Sequence, residues 1–422
     1  MATSRRTRRE FVKSAVAAAA VAGSACARAP VGRPAAAPRV IGANERIRIG
    51  VIGCGSRGRD ALMQQVIRYA DEENVEIIAV CDPWLQMREQ ANAMVKEKWG
   101  RDAQQFIHYK DLLALEDLDA VMIACPDHQH ATVLRDAARV GKDAYCEKPW
   151  AMSIEELNEA VDAVRKANRI VQAGTQLRSY PSFTGCRKLV QSGALGFVIK
   201  CEQVRNNTAP YWHSYANRPV KPEDADWKAF LMHKRFRPWD PDQFAGWYGY
   251  SDFSSGPIGG YMSHFVDLVH YVTGQTLPWR AVSLGGKKVY KDPRTCPEVI
   301  QTILEYPNGM LVSYATTMGN SAGSYMHFLG TRGMIDATDW DKPTVTGKGA
   351  MGPDPIPDGE VEPVEVPQHM QDWLQCLRSR KQPNANVDAG YSHAVACILS
   401  DVAYVEGRRM VYDAKKRTIY QG

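Results

Sequence analysis

Gly53-Cys54-Gly55-Ser56-Arg57-Gly58 follows the apolar run Ile47–Ile52 and leads into a stretch of helical periodicity, Gly58–Tyr69. Three glycines at this spacing between a strand and a helix constrain a chain strongly. The first permits a tight turn, the second lets backbone approach a pyrophosphate, and the third lets helix and strand pack closely. Spacing alone is a weak signal. The flanking strand and helix strengthen it, as does Asp82, which ends the next strand 24 residues after Gly58. A carboxylate at that point accepts hydrogen bonds from the adenosine ribose hydroxyls and repels a 2′-phosphate, which favours NAD. Arg57 and Arg59 keep NADP open, since either can reach toward a 2′-phosphate.

Apolar runs and helical stretches alternate onward from this motif. Val75–Cys81, Asp119–Cys125, Asp143–Cys146 and Ile170–Gln172 read as strands. Helices fall at Trp84–Trp99, near His130–Val140 and at Ile154–Ala167. Continuous runs such as Ala120-Val121-Met122-Ile123-Ala124 are expected where both faces of a parallel sheet are covered. Residues 45–172 thus predict a Rossmann-type α/β domain. Beyond about Gly174 the strands become longer and more polar: Phe197–Arg205, Ala281–Tyr290, Val299–Tyr306 and Met310–Thr317, with Pro307-Asn308-Gly309 turning between the last two. Residues 173–422 accordingly predict an antiparallel sheet with one open face, an α+β domain. A helix at His264–Thr273 interrupts it. Helices near His369–Ser379 and Ala389–Glu406 pack back on the body, and residues 341–366 read as a surface excursion.

The N-terminal region has a different character. Thr7-Arg8-Arg9-Glu10-Phe11-Val12-Lys13 and the apolar Ala15–Ala25 stretch read as a twin-arginine export signal over residues 1–27, with a flexible linker over 28–44. Ala25-Cys26-Ala27 offers a cleavage site, while Gly23-Ser24-Ala25-Cys26 offers lipid anchoring at Cys26. The expected location is periplasmic or membrane-tethered, with no transmembrane span in the mature body. Residues 1–44 carry eight basic side chains and one acid. Removing that +7 from the whole-chain +5 leaves −2 for the rest, which argues against nucleic acid as a partner. The ten cysteines are scattered, and Cys81, Cys125 and Cys146 fall inside apolar strands, so they read as core thiols rather than a disulfide framework.

Three further segments carry a family resemblance. Cys125-Pro126-Asp127-His128-Gln129-His130, Cys146-Glu147-Lys148-Pro149 and Gly174-Thr175-Gln176 resemble the Gfo/Idh/MocA family, glucose-fructose oxidoreductase and inositol dehydrogenase among its members. The resemblance spans roughly residues 45–420. It implies a Rossmann domain followed by an open antiparallel sheet with helices on one face, substrate held between them, and homo-oligomers. It also implies that Lys148 contacts both substrate and nicotinamide ribose. The cofactor-binding set then comprises Gly53, Gly55, Ser56, Arg57, Gly58, Asp82, Pro126, Asp127, His130, Glu147, Lys148 and Gln176.

The family's Asp-x-x-x-His element matches His264, but Gly260 stands where the aspartate is expected. His264 remains a candidate general acid or base, and Asp267, one helical turn later, a candidate to orient its ring. His270 lies about 240° around the helix from His264 and reads as structural. Spacings of three and three along one helix do not converge His264, Asp267 and His270 on a metal, so no metal site is expected. Residues 207–250 hold four of the ten tryptophans, together with Tyr211, His213, Tyr215, Tyr248 and Tyr250. Such rings either stack on sugar faces or pin a long loop in place.

Three functions fit. One is an exported NAD(P)-dependent oxidoreductase of a carbohydrate or cyclitol hydroxyl with a tightly retained cofactor. Another is a redox-neutral NAD-dependent glycoside hydrolase, working by oxidation, elimination, hydration and reduction. The third is a non-catalytic sugar-binding protein.

Overall fold

A computed structural model describes residues 42, 45–211, 218–351 and 356–422. The export signal, Cys26 and nearly all of the linker lie outside the described residues, as do Trp212, His213 and Tyr215 of the aromatic segment.

Six strands form the first sheet: β1 Ile47–Ile52, β2 Val75–Cys81, β3 Gln104–Phe106, β4 Ala120–Ile123, β5 Asp143–Cys146 and β6 Val171–Ala173. All are parallel, in the order β3-β2-β1-β4-β5-β6. The order reverses between β1 and β4, so a crevice opens beyond their carboxyl ends. Gly53, Asp82, Pro126, Lys148 and Gly174 all follow strand ends on that one edge. Strands β2, β4 and β5 are buried throughout, which explains their mostly apolar sequences, broken only by Glu76 in β2 and Asp143 in β5.

The sequence reading misses β3, which has three residues, two of them exposed, and no apolar run to betray it. The helix expected near His130 instead spans Asp127–Arg139. Pro126 holds extended backbone before it, and an acidic residue suits the first turn.

Ten strands form the second sheet. They are β7 Val198–Asn207, β8 Arg280–Gly286, β9 Val299–Glu305, β10 Leu311–Thr317, β11 Asn320–Gly330, β12 Met334–Asp336, β13 Thr344–Thr346, β14 Gly359–Glu360, β15 Met410–Asp413 and β16 Thr418–Gln421. Their order is β14-β13-β12-β11-β7-β10-β9-β8-β15-β16. The sheet is antiparallel except where β10 runs parallel to β7. Burial alternates along β8, β9 and β10. Inward residues such as Ile300, Leu304, Val312 and Tyr314 share a core with helices Pro181–Gln191, Ser263–Thr273 and Val387–Glu406. The opposite face leaves Val282, Leu284 and Ile303 exposed. Strand β8 ends at Gly286, earlier than expected, because the next amides turn to a side chain: Lys288 and Val289 both donate to the Glu298 carboxylate, at 2.8 and 2.7 Å.

Two segments from beyond residue 172 pack against the first domain. Helix His369–Ser379 places Trp373 edge-on to Tyr145, ring centroids 5.7 Å apart. From the aromatic segment, Trp227 stacks on Phe230 and meets Trp239 edge-on, and Phe244 and Phe253 close the cluster beside Trp84. Trp227 and Trp239 therefore serve to pin the loop. No helix among the described residues is long and apolar enough to cross a membrane.

Candidate active site

Two cavities meet at Tyr248, which lines both. The larger, about 710 Å³, runs along the carboxyl edge of the parallel sheet. Gly53, Gly55, Ser56, Arg57, Asp82 and Pro126 line it on one side, and Phe230, Phe244 and Trp247 on the other.

The glycine turn has the shape a dinucleotide needs. Gly53 has a φ of +92°, and a side chain there would strike the backbone of Ala124 and Cys125. Gly55 has open space where its Cβ would lie, leaving the cleft floor free for close approach. At Gly58 a methyl would run into the Gly53 carbonyl, so that residue serves packing and does not line the cleft. Gly58→Ala is accordingly expected to abolish retention of dinucleotide and lower the melting temperature, read by analysing released nucleotide and by thermal unfolding.

Asp82 is held by two backbone amides: Cys54 donates to one carboxylate oxygen at 2.8 Å and Trp84 to the other at 2.9 Å. Burial lifts its pKa to about 6, against the pull of these bonds and of Arg88. Neither arginine that kept NADP open stands free beside it. Arg57 is bound to Glu147, its nearest nitrogen at 2.6 Å, and Arg59 to Asp60 at 2.8 Å and to Gln90. The cleft thus fits NAD.

Several expected cofactor residues stand behind the lining. Glu147 is occupied by Arg57 and backs onto Gly174, where a Cβ would come within 2.7 Å of its carboxyl. His130 is buried, its Nδ1 at 2.7 Å from the Pro149 carbonyl oxygen, and positions the loop after Lys148. The Nε2 of His128 lies 3.0 Å from the Phe230 carbonyl. Asp127 is buried with one oxygen unpartnered, and burial raises its pKa to about 7 against the opposing charge of Lys148.

The raised pKa of Asp127 makes stability pH-dependent. An unfolded aspartate ionises near its ordinary value, so this group's contribution is complete below that value and is lost as pH rises through about 7. Asp127→Asn should therefore gain stability relative to the parent between about pH 5 and about pH 8. Melting curves at both values check this, and a difference independent of pH contradicts it.

The smaller cavity, about 320 Å³, is lined by Lys148, Gln176, Arg205, Tyr211, Gly260, Tyr261, His264 and Trp340 among others. Lys148 Nζ donates to the Gly260 carbonyl at 2.9 Å. Burial lowers its pKa, while Glu147 and Asp127 oppose the shift. His264 is held well below the ordinary histidine range by burial and by the charge of Lys148, so its ring is neutral, and its Nδ1 has no partner.

Asp267 does not orient His264. Its carboxylate takes an ion pair from Arg178 at 2.7 Å, is fully buried, and does not line the cavity. His270 Nε2 meets the Tyr306 hydroxyl at 2.6 Å, a structural contact. Among the described residues no cluster of three metal-ligating side chains occurs.

Gly260 is explained by a neighbour. A Cβ there would collide with the Tyr211 hydroxyl, which fills the space and donates to the Gly256 carbonyl at 3.0 Å. Arg205 and Trp340 escape the sequence reading. Arg205 lies near the end of β7 and Trp340 between β12 and β13, neither near a motif, and only the folding of the second domain brings them to the cavity that Lys148 lines.

Comparison with known proteins agrees with this arrangement. Residues 47–175 match the family model described as oxidoreductase family, NAD-binding Rossmann fold, and residues 229–336 match the GFO/IDH/MocA C-terminal domain. A glycosyl hydrolase family 109 protein from Shewanella sp. (strain ANA-3) is 28% identical over 64% of this chain and 59% of its own length. Levoglucosan dehydrogenase from Pseudarthrobacter phenanthrenivorans is 25% identical over 54% of this chain and 57% of its own. The chain thus spans less than two thirds of either relative. The aldose-aldose oxidoreductase structure from Caulobacter crescentus, complexed with glycerol, superposes with a TM-score of 0.65 at 19% identity, covering 87% of this chain and 100% of that one. With its glycine cradle, its lysine at the end of β5 and both domain models matched over more than half its length, the chain belongs to the Gfo/Idh/MocA oxidoreductase family.

Proposed function

We propose that the protein is an exported NAD-dependent oxidoreductase acting on a hydroxyl of a carbohydrate or cyclitol, with its dinucleotide held between turnovers. The observation that carries this reading is the opening of Lys148 and His264 together into a cavity that adjoins the dinucleotide cleft. When bound, the dinucleotide supplies a hydride acceptor for the carbon bearing the hydroxyl. The hydroxyl proton then needs a base. Lys148 suits that role, since burial makes its ammonium easier to deprotonate. His264, kept neutral beside it, can hold the hydroxyl in place. Tyr211, Tyr248, Tyr261 and Trp340 supply aromatic faces against which a sugar ring can stack.

Export rests on the twin-arginine sequence, with the mature chain either free or tethered at Cys26. Outside the cytoplasm a retained cofactor must be recharged in place, and a second sugar can do so. A homo-oligomer through the open sheet face is supported by Val282 and Ile303, paired across β8 and β9 and both exposed.

The second reading is redox-neutral glycoside cleavage, favoured by the name of the Shewanella relative and by the replacement of the expected aspartate with Gly260. One experiment separates the outcomes. The exported protein is purified without added nucleotide, its released nucleotide identified, and the holoprotein given sugars and aryl glycosides. Bound NAD with a ketone product supports the oxidoreductase. Aglycone release with no net NADH supports the hydrolase. A protein that is empty and gains no thermal stability from NAD overturns both.

A further inference from the structure

The smaller cavity is more cationic than oxidation of a neutral sugar requires. Lys148 and Arg205 both line it, and no carboxylate among the described residues does. The nearby acids do not line the cavity: Glu147 is held by Arg57 at 2.6 Å, and both it and the buried Asp127 favour the charge of Lys148. Arg205 has its guanidinium 4.0 Å from the centre of the Tyr261 ring and forms no ion pair with any described residue. Arg205 is close enough to disfavour the charge of Lys148, and it disfavours protonation of His264 as well. A guanidinium with no ion pair to a described residue, in a partly buried cavity beside a second cation, is held at a cost that a bound anion relieves.

Position 260 fits the same pattern. An aspartate there would place a carboxylate in this cavity and repel an anionic ligand. The chain has Gly260 instead, with the uncharged Tyr211 hydroxyl filling the space.

We propose that the cavity takes a sugar bearing an anionic group, a carboxylate or a sulfate ester, with that group on Arg205, the ring against Tyr261 and Trp340, and the reacting hydroxyl left to Lys148. This rests on the oxidoreductase reading and narrows its substrate class. The planar guanidinium can meet two oxygens of such a group at once, and the stacking on Tyr261 fixes its plane.

The test uses the NAD-loaded protein and titrates glucuronate, glucose 6-sulfate and glucose by calorimetry. At least one anionic sugar should bind about tenfold or more tightly than glucose, as charge-assisted bonds to arginine imply. Whichever of the two binds better identifies the group. The affinity of the anionic sugar should fall with added salt while that of glucose holds. Arg205→Gln should bring the ratio to within about twofold, and Arg205→Lys should leave it in between. Should Arg205→Gln not fold, the salt dependence and the lysine variant still decide. Glucose binding as well as either anion, or an undiminished preference in Arg205→Gln, overturns the proposal. Failure of the protein to hold NAD counts instead against the oxidoreductase reading.

Discussion

Lys148→Ala should lower kcat/KM by about 10²–10⁴-fold, the usual contribution of a positioned proton-transfer group, while NAD stays bound. The separation of the two effects is structural. The dinucleotide cleft is lined by the glycine turn, Asp82 and Pro126, whereas Lys148 opens into the adjoining cavity. Removing the amine deletes the one cationic group at the end of β5 whose pKa burial has moved toward use. It also frees the Gly260 carbonyl, a small structural loss beside the chemical one. Single-turnover reduction of bound NAD, followed by its absorbance, measures the step directly. Turnover within about tenfold of the parent would remove Lys148 from the chemistry.

The second large effect falls on stability. Asp267→Ala should destabilise the fold by about 3–5 kcal/mol, because it strands Arg178 without its counter-charge. Asp267 is fully buried and Arg178 nearly so, with 2.7 Å between them. Arg178 also lies against the Tyr271 ring, 5.1 Å from its centre, so the guanidinium cannot swing out to water without losing that contact. Denaturant unfolding reads the loss. Replacing both residues with apolar ones of similar size should recover much of it, which a catalytic role for Asp267 would not predict.

The first domain is written plainly in the sequence because its strands are buried on both faces and its motifs sit at strand ends. Gly53 is legible from its glycine turn and Asp82, and Lys148 from the motifs at the ends of neighbouring strands. The second domain is legible only where polar and apolar residues alternate, as in β9 and β10. Strand β11 hides because the first six of its residues, Asn320 to Tyr325, are exposed and include Gly323, so nothing marks an inward face. Helix Pro181–Gln191 hides behind a start rich in serine, threonine and glycine. The parallel pairing of β10 with β7 has no local signature, since it depends on chain segments more than a hundred residues apart. The site divides in the same way. His264 follows from a spacing, while Arg205 and Trp340 are brought in by the folding of the second domain. Asp267 misleads because helical periodicity places it within reach of His264 but cannot show that Arg178 comes from another element to claim it.

The contact between Tyr211 and Gly260 also constrains how this protein can change over generations. Neither position can drift alone. Acquiring an aspartate at 260 while Tyr211 remains forces two side chains into one volume, so the tyrosine must shrink or withdraw first. That intermediate, with a small residue at both places, would leave an unfilled hole beside Lys148 and a slacker grip on whatever ring lies there. A change at Gly260 is thus coupled to Tyr211, and the two positions are expected to change together.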